Sequence, residues 1–351
     1  MRKKMIATGY AFLAAILYAM NTPLSKLFLQ RIDPTMMAAF LYLGAGVGVG
    51  VMYLFHWKQE KPEERLSKGD LPYTIGMIVL DIVAPIFLML GIHHGTASSA
   101  SLLGNFEIVA TTLIALMLFH EKVTLRLWIA IGWIVAASVL LTMEGTGGLQ
   151  FSYGSLFVLL ATACWGLENN CTRSISEKSS HEIVVLKGFG SGGGALIIAC
   201  LLGEKLPRFS DVAGVMLLGF VAYGLSIFLY VRAQRTLGAA KTSAYYAMAP
   251  FVGAFLSFLL LQETLSYRYA IAFVVMVIGT GFVIADTMVR HHEHMHQHTF
   301  THTHDGSTHT HTVTHSHGHD HYVLGDRHGH HHTMALYLRE SGHNDHANHG
   351  E

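Results

Sequence analysis

Four charged side chains lie inside otherwise apolar stretches: Asp81, Glu107, Glu168 and Lys187. A charge at the centre of a bilayer costs about 2.5–3.5 kcal/mol even on lenient insertion scales, so such a residue normally faces a cavity or a partner. Asp81, one turn before Pro85, and Glu107, beside Asn105, fall at similar depths and could line one water-filled site. Two chemistries suit them: carrying a coupled proton, or binding the amine of a substrate. The plainer reading is an interhelical hydrogen bond or an ion pair with Lys187. Lys187 sits near one end of its stretch, where a lysine can also snorkel to the interface. Glu168, Asn169 and Asn170 close another stretch, and Asn21, Thr22, Pro23 and Lys26 close the first. Each group reads as a gate or as the wet end of a helix. Tyr223, Tyr230, Tyr245 and Tyr246 supply aromatic side chains that could wall a site for small amphipathic solutes, although packing accounts equally well for Tyr230. His93 and His94, before Gly95, read as a solvated turn.

The elements that must position these residues are membrane helices. About 20 mostly apolar residues cross a bilayer core of about 30 Å. Residues 5–25, 34–55, 127–143, 212–231, 242–262 and 269–285 carry no Asp, Glu, Lys or Arg. Residues 71–92, 95–119, 154–171 and 183–202 are equally apolar and hold Asp81, Glu107, Glu168 and Lys187 respectively. That predicts ten spans, all helical, since backbone groups in lipid must pair within their own segment. The chain is 13% charged, against about a quarter in soluble proteins. A soluble bundle would need polar outer faces that few of these stretches have. Lys+Arg 23 and Asp+Glu 23 cancel, so no basic field points to nucleic acid.

Positive charge predicts orientation. With the N-terminus inside, fifteen Lys and Arg fall on the inner side of the body and five on the outer. The reading is a multi-pass protein of a bacterial inner (plasma) membrane with both termini cytoplasmic. Cys164, Cys171 and Cys200 form no CxxC pair and imply no disulfide framework.

The body repeats. Gly44, Gly46, Gly48 and Gly50 recur 144 residues on as Gly188, Gly190, Gly192 and Gly194. FHEKVTLR (119–126) recurs 142 residues on as LQETLSYR (261–268), matching Glu121 with Glu263. YAMNTPLSK (18–26) is followed 147 residues on by WGLENNCTR (165–173), matching Lys26 with Arg173. The expected domains are a five-helix unit at 1–146, a second at 147–290, and a separate tail at 291–351. Five is odd, so the two copies enter the membrane from opposite sides, an arrangement that places a transport site between them near the midplane. The glycine rows read as close-packing faces, and also as surfaces that could slide.

Ten spans as five plus five, the [FL]-x-E-x-[VL]-[TS] turn after the fourth and ninth spans, and the Asn–Lys/Arg ends of the first and sixth resemble the EamA family of the drug/metabolite transporter superfamily. The resemblance covers residues 5–288. It implies a secondary carrier, often an exporter, of amino acids, metabolites or drugs. Two features depart from the pattern. The family's mid-helix proline is present as Pro250, but Ile108 takes the matching place in the fourth span. The histidine-rich tail lies outside the pattern.

That tail holds twenty of the 25 histidines. It has too few apolar residues to build a core and is expected to be disordered. His291, His292, His294, His296, His302, His304, His309, His311, His317, His319, His321, His330, His331 and His332 could bind Zn²⁺, Ni²⁺ or Cu²⁺ loosely, since neutral imidazole ligates these ions. No resident cofactor is expected. No GxSxG, Walker A, HExxH or EF-hand pattern appears, so the body reads as a gradient-driven carrier and not an enzyme. Its partners would be the bilayer, a small organic solute, protons, divalent metals at the tail, and a second copy in a homodimer. Two other readings stay open: a transition-metal exporter or metal-regulated carrier, and a membrane-anchored metal buffer.

Overall fold

The computed structural model describes residues 2–56, 63, 65–119, 123–144, 150–175, 177–237, 239–304 and 307–322. Residues 1–286 form one compact helical unit. Its helices are α1 (Arg2–Ala19), α2 (Asn21–Phe28), α3 (Pro34–His56), α4 (Leu71–His94), α5 (Ala97–Leu103), α6 (Phe106–Phe119) and α7 (Leu125–Thr142) in the first half. The second half has α8 (Tyr153–Ser174), α9 (Ser180–Leu186), α10 (Gly192–Leu201), α11 (Phe209–Gly219), α12 (Ser226–Leu237), α13 (Ala239–Tyr246), α14 (Ala249–Leu261) and α15 (Tyr267–Thr287). A short ladder of β1 (Met143–Glu144) and β2 (Gln150–Phe151) links the halves.

The short helices join end to end into ten rods. Nine of these, among the described residues, are long and apolar enough to cross a membrane. The tenth is α8, whose Glu168, Asn169 and Asn170 turn inward and cost it hydropathy. Large apolar side chains cover the outside, as at Ile197 (64% exposed) and Leu217 (62%). Such a surface fits lipid and not water. The protein is an all-helical, polytopic membrane protein.

Half of the rods are interrupted near mid-depth, and the causes are local. The α13–α14 rod breaks at Ala247–Met248, because Pro250 has no N–H for the carbonyl one turn back. The matching α5–α6 rod has no proline, yet it breaks at Gly104–Asn105. There the Asn105 side chain donates to the Leu102 carbonyl at 3.3 Å, a local bond that competes with the helix ladder. The first rod breaks between α1 and α2. The seventh and eighth rods carry π-helical segments at Lys187–Ser191 and Phe220–Leu225.

The two halves do not pack as separate bodies. Helix α8 packs on α4 and α6, while its counterpart α1 packs on α12 and α14. Helix α3 crosses α10 and α11 through the glycine rows. A Cβ on Gly188 would lie 2.2 Å from the Cα of Gly46, and one on Gly44 would lie 2.1 Å from the Met216 carbonyl oxygen. Only glycine permits backbones this close.

Residues 287–351 form a second unit. The sequence predicts no regular structure here, but Val289–His304 (β3) and Ser307–Tyr322 (β4) run as an antiparallel hairpin, with Val289 opposite Tyr322. The alternation of His with Thr and other residues, His-x-His, matches the two-residue period of a strand. A two-stranded ribbon on its own is marginally stable in water.

Candidate functional site

A cavity of about 370 Å³ lies between the halves. Both copies supply its wall at corresponding positions. Tyr18 and Asn21 from the first rod face Trp165 and Glu168, their counterparts 147 residues on. Ile108 and Pro250, 142 residues apart, also line it.

Its charges come from three helices and a π-segment. Asp81 on α4 is 1% exposed. One carboxylate oxygen accepts from the Tyr42 hydroxyl at 3.3 Å and the Trp165 indole N–H at 3.2 Å. The other lies 3.2 Å from the Lys187 ammonium. That ammonium stands 2.6 Å from Glu168 on α8, whose carboxylate also accepts from the Thr172 hydroxyl. Lys187 therefore bridges the first half to the second. It opens the π-segment, and Tyr223 lies inside the other one. Such bulges recur at functional sites because one extra residue re-aims the side chains around it.

Glu107 lies just past the break that begins α6. It accepts from the Asn169 amide at 2.6 Å, and that amide also reaches the Thr111 hydroxyl at 3.3 Å. Among the described residues no cation stands within ion-pair distance of Glu107. Asn170 turns aside to the carbonyls of Gly166 and Thr111. Aromatic rings complete the wall. Tyr18 meets Tyr223 at 5.7 Å and Tyr246 at 5.6 Å, and Tyr42 meets Tyr223 at 5.4 Å. The Asn21 amide donates to the Tyr223 hydroxyl at 3.1 Å.

Some expected residues stand elsewhere. Asn105 is buried at the helix break and does not line the cavity. Tyr245 packs on Phe12 at 5.0 Å, and its neighbour Tyr246 lines the wall instead. Tyr230 bonds Ser243 at 2.8 Å. Arg173 is exposed at the end of α8. Glu121 and the side chains of the tail histidines, His291 to His332, lie outside the described residues. Among the described residues no group of three or more His, Cys, Asp or Glu could hold a metal ion.

Lys26 and Glu263 act together at the face opposite the N-terminus. The Lys26 ammonium donates to the carbonyls of Ile92 at 2.5 Å and Gly95 at 2.7 Å, at the C-terminal end of α4. Glu263 accepts the Ala97 and Ser98 N–H groups at 2.7 and 3.0 Å, at the start of α5. Cation on carbonyl end and carboxylate on amide end both suit the helix dipole. Glu204 does the same for α3, accepting from Thr35 at 3.2 Å and Met36 at 2.7 Å behind Pro34. Sequence reasoning did not single out Glu204, Tyr42 or Trp165. The sequence signal at the start of α3 is Asp33 before Pro34, an N-cap residue, but its carboxylate accepts from the Lys205 N–H at 3.3 Å and the α3 amides go to Glu204, which no local pattern announces.

A search against family models matches the EamA-like transporter family over residues 5–143 and again over 152–285. The chain belongs to the EamA-like transporter family. The match falls once on each half of this EamA-like transporter. It is also similar to an "uncharacterized transporter" of Methanothermobacter thermautotrophicus, 25% identical over 291 residues, which span 76% of this chain and 82% of the relative. A solved structure described as "Crystal structure of protein" shares the fold, with a TM-score of 0.57 at 19% identity, covering 80% of this chain and 96% of that one.

Proposed function

We propose that this EamA-like transporter is a secondary active exporter of small organic metabolites, amino acids or drugs. It works by alternating access between its two five-helix copies in a plasma membrane of bacterial type, with both termini in the cytoplasm. Protons are coupled through Glu107 or Asp81. One observation carries the reading: a cavity between the copies, walled by aromatic rings, that holds three carboxylates and, among the described residues, a single ammonium. Glu107 is the better proton carrier of the two, because Asp81 is already engaged by Lys187, Tyr42 and Trp165. The groups Glu107 shares the cavity with are Asp81, Glu168 and Lys187, together with Tyr18, Tyr42, Tyr223 and Tyr246.

Reconstituted protein is expected to move an organic solute across liposomes at a rate that follows an imposed pH gradient. Glu107→Gln is expected to keep binding of a neutral solute and lose the pH dependence. A pH dependence that survives Glu107→Gln clears Glu107 and leaves Asp81. Wild-type flux indifferent to the gradient removes proton coupling altogether.

A further inference from the structure

We propose that the cargo is a small organic cation, its ammonium held by Glu107 and its apolar body laid against the tyrosine wall. This rests on the reading of the cavity as the transport site and narrows its substrate class. The argument is charge accounting. Among the described residues Lys187 is the cavity's one ammonium, and it is occupied: Glu168 holds it at 2.6 Å and Asp81 at 3.2 Å. A substrate carboxylate would have to displace one of those two and leave it buried without a counter-cation, held only by neutral donors. That opposes anions, and it opposes zwitterionic amino acids for the same reason.

Glu107 is the complement. Its only described donor is the uncharged Asn169 amide, so one carboxylate faces the cavity without a counter-cation. A protonated amine supplies the missing charge and a charge-assisted hydrogen bond. Tyr18, Tyr223 and Tyr246 form a continuous run of rings beside it. Aromatic faces attract cations and also cover apolar carbon. A volume of about 370 Å³ lies at the small end of the range of about 300–1,000 Å³ for ligand sites, which suits a single-ring or short aliphatic amine.

The test uses purified full-length protein and four probes of one shape: 2-phenylethylamine, 2-phenylethanol, phenylacetate and phenylalanine. Equilibrium binding is read by calorimetry and uptake by liposome flux. The amine is expected to bind at least about tenfold more tightly than phenylacetate or phenylalanine. Glu107→Gln is expected to remove that advantage while leaving 2-phenylethanol binding and the melting temperature in place. Preference for phenylacetate or phenylalanine overturns the cation assignment, as does failure of the amine to bind. Uptake of either acid without amine uptake keeps the transport reading and removes the cation. Amine binding without any flux keeps the site and removes transport.

Discussion

The Lys187 ammonium lies 2.6 Å from the Glu168 carboxylate and 3.2 Å from that of Asp81, so one lysine holds two buried acids from opposite halves of the protein. Removing one partner of a buried pair commonly costs about 3–5 kcal/mol, because a charge is left without compensation. Lys187→Met is therefore expected to lower the melting temperature sharply and abolish flux. Adding Asp81→Asn and Glu168→Gln to it is expected to restore the melting temperature but not the flux. If the triple variant stays as unstable as the single one, the loss comes from packing and not from charge.

The glycine rows give a positional prediction. Gly188→Ala is expected to prevent accumulation of folded protein, since its methyl would fall 2.2 Å from the Gly46 backbone. Gly193→Ala is its control: it sits in the same rod, in α10, with nothing within 4 Å of the added carbon. Size-exclusion profiles in detergent separate the two outcomes. Equal profiles would mean the crossing of α3 with the π-segment of the seventh rod is looser than described.

Glu263 and Glu204 each close a helix start at the face opposite the N-terminus. Each cap is worth about 1 kcal/mol. Glu263→Gln is expected to favour opening at that face by about fivefold. The measurement is labelling of Ser101→Cys, a cavity position, by an impermeant maleimide in a cysteine-free background. Unchanged labelling in Glu263→Gln and in the double variant with Glu204→Gln would make these contacts structural caps with no part in gating.

Deleting residues 291–351 is expected to leave organic-solute flux within about twofold and to remove retention on an immobilised Ni²⁺ column, since the clustered imidazoles go with it. Loss of flux on deletion, with metal flux in the full chain, would instead favour the metal-carrier reading.

Membrane class, most span positions, a twofold repeat of the family pattern and the short list of intramembrane charges were legible in the linear chain. Hydropathy is a sum of transfer energies along the chain, and it reports depth in the bilayer well. It reports azimuth poorly. Each residue turns a helix by about 100°, so a break or one extra π-turn residue moves a side chain to another face. That is why Tyr246 lines the cavity and Tyr245 packs on Phe12, a distinction adjacent residues cannot announce. It is also why Asn105, named beside Glu107, holds the helix break and not the solute. The breaks themselves were half visible: Pro250 declared one, while Gly104–Asn105 made the other without a proline. Pairing between distant rods was legible only in part: an ion pair of an intramembrane carboxylate with Lys187 was one reading, and the Asp81–Lys187 pair is found. Nothing in the spacing of Asp81, Glu168 and Lys187 says that the lysine joins both acids and leaves Glu107 to face the cavity. Only the tertiary placement of Lys187 against Asp81 on α4 and Glu168 on α8 decides which carboxylates are neutralised, and so which charge remains for a cargo.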